Sequence, residues 1–276
     1  MGITDIIKES LTFPTKDTKG WMIIGVLFLV MAVVDYLIGV YPTGIIYTLC
    51  GIISLILSIF ILGYGLSLIK NTIDGKDNIP AFDFGKNFVD GLKSLVLYIV
   101  YFIIPTILTA IVMWITGVFS NGFQIIDYVI SSPALNQTLT AGAPVTDAVI
   151  QNITGSIPTT LINSFFNGFV ISIVVGIVLF LIFTLFTYIG LARMAEYDSL
   201  KAGLSLGEVF KKISSIGWGS YIGWFILLIV VSAIIGFIGG LVSMIPYVGV
   251  FIFALVFTSF LFIFEYRAIG LIYNQG

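Results

Sequence analysis

The sequence predicts an all-α integral membrane protein with six transmembrane helices and with amphipathic helices at its cytoplasmic surface. Of its 276 residues, 59% are hydrophobic and only 9% are charged, whereas soluble domains carry about 25% charged residues. Six hydrophobic runs each approach the roughly 20 apolar residues that a helix needs to cross a bilayer. Three further segments have one apolar and one charged face, which is typical of helices that lie in the membrane interface.

The predicted spans follow the hydrophobic runs in chain order. They are Trp21–Val40, Ile45–Ile69, Leu95–Val118, Phe165–Leu191, Tyr221–Met244 and Val248–Ile269. Short connections at residues 41–44 and 245–247 join the first two and the last two spans into hairpins, and Pro246 suits such a turn because it fixes φ. Residues 1–20 are polar and lack a small-residue cleavage site, so we expect the first span to stay in the mature protein.

The clearest amphipathic segment is residues 81–95. If it is helical, its apolar side chains share one face, and polar side chains such as Asn87 and Asp90 share the other. A similar pattern occurs in residues 205–216 and, more briefly, in residues 3–11. The side chains that we expect to meet the membrane interface are Phe84, Phe88, Leu92, Val209, Phe210 and Ile213.

This recurrence has two interpretations. One is that a single membrane domain, residues 1–276, consists of three repeats of an amphipathic helix and a transmembrane hairpin, at 3–69, 82–191 and 205–272. The other is that amphipathic helices resemble one another through composition alone. Few positions align between the segments, so the sequence leaves both interpretations open.

The distribution of positive charge predicts the orientation of the spans. All 12 Lys and Arg residues lie within residues 8–19, 70–93 and 193–212 or at Arg267, and the alternate connections contain none. Cytoplasmic loops carry the excess of Lys and Arg in membrane proteins. We therefore expect a multi-pass protein of the cell membrane with both termini in the cytoplasm.

The outer connection, residues 119–164, is polar and contains no Lys or Arg. A structureless connection of this length is uncommon. Residues 144–155 predict a short helix, with proline in its first turn and glycine at its end. Asn136 and Asn152 begin N-glycosylation sequons. The sequence does not decide whether either is modified.

Residues 63–83 connect the second span to the amphipathic segment. They contain a basic span end at Lys70, the turn Asp74-Gly75 and the run Ile79-Pro80-Ala81-Phe82. This pattern resembles a family of uncharacterised archaeal multi-pass membrane proteins, a domain of unknown function, most clearly over residues 60–105. A looser likeness is to the membrane-anchor domains of bacterial lipid phosphodiesterases. The resemblance implies a membrane location and an archaeal origin, and it implies no activity and no catalytic residues.

The residues themselves do not predict catalysis. The chain has no histidine, which removes the commonest general base and the commonest metal ligand. Asp74, Asp77, Asp83 and Asp90 lack the spacing of a calcium-binding loop, and they depart from the aspartate motif of lipid phosphotransferases. We expect no enzyme activity, no metal site and no cofactor. The net charge of −2 argues against a nucleic-acid partner.

Charged residues at membrane depth are the remaining indication of a site. They are Asp35, Glu265, Arg267 and Arg193. Ionisable residues within spans are costly, and they usually pair with one another or mark an ion pathway. Because these residues lie near span ends, we expect structural pairing, with Glu265 bound to Arg267 or Arg193, and the alternative is an ion pathway.

The sequence favours a non-enzymatic membrane protein that acts as a scaffold, a partner-binding subunit or a lipid-organising module. Its expected partners are the lipid bilayer and other membrane proteins. The alternative is a small permease for a neutral or amphipathic solute, and a lipid-acting enzyme is the third hypothesis. Polar groups around a shared interior cavity would favour the permease, whereas a lipid-facing groove would favour the non-enzymatic module.

Overall fold

The computed structural model describes residues Met1–Gly276, and every regular element in it is a helix. A π-helical segment, Phe253–Thr258, lies between the last two α-helices. In chain order the α-helices are α1 (Ile3–Lys16), α2 (Thr18–Val40), α3 (Gly44–Ile73), α4 (Phe84–Ile115), α5 (Val118–Ile130), α6 (Pro133–Thr140), α7 (Asp147–Ser156), α8 (Thr159–Tyr197), α9 (Leu200–Leu204), α10 (Leu206–Ile216), α11 (Trp218–Ser243), α12 (Gly249–Ile252) and α13 (Ser259–Tyr273).

Six helical segments are long and apolar enough to cross a membrane. Helices α2, α3, α4, α8 and α11 each form one, and the continuous segment Gly249–Tyr273 forms the sixth. The chain is therefore a multi-pass membrane protein, as its hydropathy predicts. All six spans differ from their predicted bounds, most of them by a few residues. The largest differences are in α4, which begins at Phe84 instead of Leu95, and in α8, which runs from Thr159 to Tyr197 instead of from Phe165 to Leu191.

The amphipathic segment 81–95 forms the start of α4 and is not a separate helix. Its polar residues Asn87 and Asp90 are only 0% and 4% exposed, whereas Phe84 is 72% exposed. The prediction that Asn87 and Asp90 lie on a solvated face is therefore wrong. Lipid tails are as apolar as leucine side chains, so the apolar face of a membrane helix can point outward while its polar groups find partners within the protein.

The chain forms two compact units. Unit 1 comprises Met1–Val100 and Thr184–Gly276, and unit 2 comprises Tyr101–Phe183. The boundaries between the two units fall inside two long helices, α4 and α8. They differ from the ends of the predicted repeats. The three-repeat interpretation stays a prediction.

The core of unit 1 lies where α3 packs along α13, with α1 and α2 against them. Its buried side chains include Phe13, Tyr64 and Ile263. Gly63 of α3 and Gly91 of α4 each lie directly against the backbone of the opposing helix, so any side chain there would collide with it. This glycine pair lets the polar face of α4 approach α3 closely.

Unit 2 contains the predicted outer connection and adjoining parts of α4 and α8. The short helix predicted at residues 144–155 is confirmed as α7, and α5 and α6 lie within the same connection. The ring of Phe165 packs against Gly122 of α5. Helices α5 and α6 are not part of the sequence prediction, although the apolar residues of α5 recur at helical spacing.

Candidate functional site

Both chain termini meet at one end of unit 1. The Met1 amino group donates to Gln275 Oε1 at 2.9 Å, and Lys212 Nζ donates to the Gly276 carbonyl at 2.6 Å. Asn274 Nδ2 donates to the Ile73 carbonyl at 3.3 Å, which places the end of α3 beside the termini. We call this part of the molecule the basic end, and it includes the end of α3, the connection 74–83 and the start of α4.

A cleft of about 510 Å³ opens at the basic end. Its walls come from the end of α3, the connection 74–83 and the first turn of α4. Three lysines and two aspartates give these walls a net positive formal charge. We call it the basic cleft, and its charged residues are Lys70, Lys76, Lys86, Asp74 and Asp83.

Side chains from α3 and from the N-cap of α2 hold the connection 74–83 in place. Tyr64 of α3 donates its hydroxyl to the Pro80 carbonyl at 2.7 Å, and Asn71 Nδ2 donates to the Asn78 carbonyl. Asp17, the N-cap of α2, accepts from the Ile79 amide at 3.2 Å and also from the Gly20 amide at 2.9 Å. The wall of the basic cleft is thus fixed by the fold before any ligand binds.

Arg267 of α13 connects several segments at the basic end through ion pairs and hydrogen bonds. Its side chain is only 4% exposed and binds two carboxylates, Glu9 of α1 at 2.5 Å and Asp77 at 2.9 Å. It also donates to the Lys76 carbonyl at 2.7 Å, and its guanidinium lies 4.2 Å from the ring centroid of Phe13. One buried cation therefore joins α1, α13 and the connection 74–83.

The three lysines of the basic cleft differ in their partners. Lys70 and Lys76 share one carboxylate, Asp74, at 3.0 and 3.7 Å. Lys86 is exposed and forms no ion pair, and Asp83 Oδ1 accepts from its backbone amide at 3.0 Å instead. The Lys86 ammonium is therefore free to bind an anion that enters the cleft.

A smaller cavity of about 90 Å³ adjoins the basic cleft and shares Lys70 and Lys86 with it. On its far side Lys93 binds Asp90 at 3.1 Å and Asp198 at 2.8 Å. The hydrogen bond from Lys93 lowers the pKa of Asp198 below its ordinary value, and the charges of Lys86 and Lys70 act in the same direction. Asp198 is therefore ionised at neutral pH and remains paired with Lys93.

An apolar groove of about 330 Å³ begins beside the basic cleft. Five residues of α2, from Ile23 to Val30, form one wall, and Phe82 and Phe84 form the other. Phe82 lines both the groove and the cleft, and its ring stacks on Tyr64 at 5.5 Å between centroids. The groove follows α2 for about 10 Å, given a rise of about 1.5 Å per residue.

Each of the four aspartates that the sequence singles out has a structural partner. Asp74 pairs with Lys70 and Lys76, and Asp77 pairs with Arg267. Asp90 pairs with Lys93, and Asp83 caps the N-terminus of α4. The structure brings no group of three or more Asp, Glu or Cys side chains together in a way that could hold a metal ion.

Glu265 does not form the ion pair that the sequence predicts. Its Oε1 accepts from Ser232 Oγ of α11 at 2.8 Å, and Arg267 binds Glu9 and Asp77 instead. The difference arises because Glu265 and Arg267 lie two residues apart on α13, so their side chains point about 200° apart around the helix. Three tyrosines lie close enough to Glu265 to interact electrostatically, namely Tyr98, Tyr188 and Tyr266.

The other two charged residues at membrane depth have different surroundings. Arg193 donates to the Ala202 carbonyl at 3.3 Å and lies over the ring of Tyr197, 5.3 Å from its centroid. Asp35 is exposed, and its Oδ1 accepts from Ser54 Oγ of α3 at 3.2 Å. No lysine or arginine pairs with Asp35.

The residues predicted to meet the membrane interface separate into two groups. Phe84, Leu92 and Phe210 are exposed, and Phe88 is 36% exposed. Val209 and Ile213 are fully buried, so their face of α10 packs within unit 1. Whether the exposed group meets the membrane interface stays a prediction.

Several residues that build the basic cleft are absent from the sequence prediction. Ser67 and Asn71 line it, and Tyr64 and Asp17 fix its wall. The resemblance over residues 63–83 covers the wall itself, but it does not indicate a cleft. The signal that could have found Ser67 and Asn71 is their spacing of four residues with Lys70 between them, on one face of the last turns of α3.

Comparison with curated proteins and with solved structures finds no match. A family described as "Protein of unknown function (DUF4013)" matches residues 46–244. The matched range includes every residue that lines the basic cleft, whereas Asp35 and Glu265 lie outside it. Because the match covers well over half of the chain, this protein belongs to the DUF4013 family of proteins of unknown function.

Proposed function

We propose that this protein is a non-enzymatic, lipid-organising membrane protein that holds an anionic lipid at its basic end. The observation that carries the proposal is that the basic cleft and the apolar groove lie side by side and share Phe82 in their walls. A lipid would occupy both, because its charged headgroup needs the polar groups of the cleft and its acyl chain needs the apolar walls of the groove. Basic pockets beside transmembrane helices bind anionic headgroups in this way.

The charge pattern of the cleft supports an anionic headgroup. Lys86 has no ion-pair partner, and Lys70 and Lys76 share a single carboxylate. Lysine binds phosphate as a point charge, and its flexible stem allows the ammonium to follow a mobile headgroup. The absence of histidine and the structural partners of the four aspartates support a binding role over a catalytic one.

The orientation of the protein is part of the same proposal. The basic end lies at the cytoplasmic surface of the cell membrane, and both termini face the cytoplasm. The positive-inside pattern of the sequence supports this orientation, as does the proximity of Met1 to Gln275. The resemblance to membrane-anchor domains of lipid phosphodiesterases supports a role beside lipids, and binding of other membrane proteins and an archaeal origin stay predictions.

The affinity of the Lys86→Gln variant for an anionic lipid, compared with that of the wild type, tests the proposal. The purified chain is placed in phosphatidylcholine nanodiscs, and its affinity for added phosphatidylglycerol is measured by the increase in melting temperature. A lysine near a membrane surface contributes about 1 kcal/mol to binding an anionic lipid, so the affinity should fall about fivefold. Lys211→Gln is the control, because Lys211 lies on α10 outside the cleft.

Two results would contradict this function. One is an equal phosphatidylglycerol affinity of the wild type and Lys86→Gln. The other is that inorganic phosphate alone stabilises the wild type as well as phosphatidylglycerol does, because the apolar groove would then contribute nothing.

A permease is the second candidate, and the surroundings of Glu265 favour it. A carboxylate, a serine and three tyrosines meet inside the helices of unit 1, and such polar groups at membrane depth mark solute or proton pathways in transporters. Solute-dependent proton uptake by proteoliposomes that disappears in Glu265→Gln, with unchanged stability, would favour the permease. No uptake by the wild type would leave lipid binding as the better account.

A further inference from the structure

A second large cavity, of about 520 Å³, lies between α2 and the π-helical segment in unit 1. Its walls are almost entirely apolar and aromatic, with Phe28 and Tyr36 on one side and Phe253 on the other. The volume lies within the range of roughly 300–1,000 Å³ that is usual for small-molecule sites. It shares no residue with the basic cleft, so this inference does not rest on the proposed function.

Asp35 supplies the only charge in this cavity. Its carboxylate is exposed and accepts one hydrogen bond, from Ser54 at 3.2 Å. No basic residue pairs with it, because the Lys and Arg side chains of the chain lie in other segments. A carboxylate within a membrane span is costly unless a partner compensates its charge, and this cost is smaller near a span end, where Asp35 lies. The protein itself therefore supplies no positive charge to compensate the Asp35 carboxylate.

The π-helical segment forms the opposite wall of the cavity. Phe253, Ala254 and Thr258 line the cavity, and all three belong to Phe253–Thr258. Isolated π turns within α-helices are rare and occur frequently at functional sites. The extra residue in such a turn shifts the register of the side chains around it, and here Phe253 and Thr258 line the same cavity as Asp35.

We infer that this cavity binds a lipophilic organic cation, with its ammonium group against Asp35 and its apolar body against the aromatic walls. The attraction between unlike charges is much stronger at low dielectric than in water. Phe28, Tyr36 and Phe253 also line the cavity, and aromatic rings attract cations. Both interactions favour an amine or quaternary ammonium over a neutral molecule of the same shape.

An inorganic cation and a neutral acyl chain fit the cavity less well. Calcium takes about six to eight oxygen ligands, and apart from Asp35 the lining side chains offer only the hydroxyls of Tyr36 and Thr258. An acyl chain would fill the apolar walls and leave the Asp35 carboxylate without a cationic partner. An organic cation satisfies both the charge and the walls.

Binding of tetraphenylphosphonium, a lipophilic cation, tests this inference. The full chain in phosphatidylcholine nanodiscs is compared with empty nanodiscs by equilibrium dialysis. We expect saturable binding that falls at least tenfold in Asp35→Asn and stays unchanged in Asp127→Asn, a control on α5. The neutral analogue triphenylphosphine oxide should bind more weakly than the cation and equally to the wild type and Asp35→Asn.

A second variant locates the ligand and keeps the test informative if Asp35→Asn fails to fold. Ala32→Phe retains Asp35 and places a ring inside the cavity that Ala32 lines, so it should abolish cation binding. The melting temperature of each variant reports its folding. Unchanged cation binding by either folded variant overturns the inference, and so does equal binding of the cation and its neutral analogue by the wild type.

Discussion

At the scale of single residues, Arg267 shows how one buried cation can hold distant parts of the chain together. It binds Glu9, which lies 258 positions away in the sequence, and Asp77, which lies 190 positions away. The guanidinium is planar and presents several donors at fixed angles, so it can bind two carboxylates and a carbonyl at once. Lysine at this position could not make the same set of bonds.

Arg267→Met should destabilise the protein strongly. Breaking a fully buried ion pair costs roughly 3–5 kcal/mol. Glu9 is 22% exposed and Asp77 is 78% exposed, so water partly compensates their charges, and the loss should lie near or below the lower end of that range. The free energy of unfolding in detergent micelles measures this loss. Lys211→Gln, which breaks an exposed pair with Glu208, should change the stability far less. Similar losses in the two variants would show that the Arg267 pairs are not the main connection at this end.

At the scale of elements, the crossing of α3 and α4 decides which face of α4 is buried. Gly63 and Gly91 let the two backbones approach, and this contact covers Asn87 and Asp90. Ser67 of α3 then donates to Asn87 Oδ1 at 3.0 Å. A helix that is amphipathic in sequence thus packs its polar face inward, because its apolar face meets lipid without loss.

Gly91→Ala should weaken this crossing. The new methyl group would collide with the Ile59 carbonyl of α3, and overpacking of this kind costs about 1–3 kcal/mol. Gly85→Ala is a matched control on the same helix, because a methyl group there would be 3.6 Å from its nearest neighbour. It should be neutral or stabilise by up to about 1 kcal/mol, since alanine favours helix. Thermal unfolding of the two variants compares them, and equal stability would contradict the close crossing.

At the scale of the whole molecule, the positions of Lys and Arg and of the termini agree with one orientation in the membrane. An even number of spans requires both termini on the same side of the membrane, and the termini do lie together at the basic end. The connections between predicted outer span ends contain no basic residue. Both observations follow from six spans that alternate in direction.

Cysteine labelling tests this orientation. In a Cys50→Ser background, a single cysteine at Lys76 or Lys201 should react with a membrane-impermeant reagent only from the cytoplasmic side. A cysteine at Asn136 should react from the outer side in intact cells. Labelling of position 136 only after lysis would contradict the six-span arrangement.

Hydropathy and charge alone determined the number of spans and their order along the chain. These properties are local, because any run of about 20 apolar residues must leave water whatever its neighbours are. The bounds of α4 and α8 are less accurate, since the polar residues at their ends interrupt the hydrophobic run while the helix itself continues. Of the residues that form the basic cleft, the sequence indicated only the lysines and aspartates between residues 70 and 86.

Only the tertiary structure decided which polar groups became partners. Similar depth in the membrane suggests that Glu265 binds Arg267 or Arg193, yet Glu265 accepts from Ser232, and Arg267 binds Glu9 and Asp77. The choice depends on which helix faces meet, and helix packing brings together residues that are hundreds of positions apart. A helix in a membrane can also bury either face, because lipid accepts the apolar one, so burial of Asn87 and Asp90 follows from their contacts and not from their pattern.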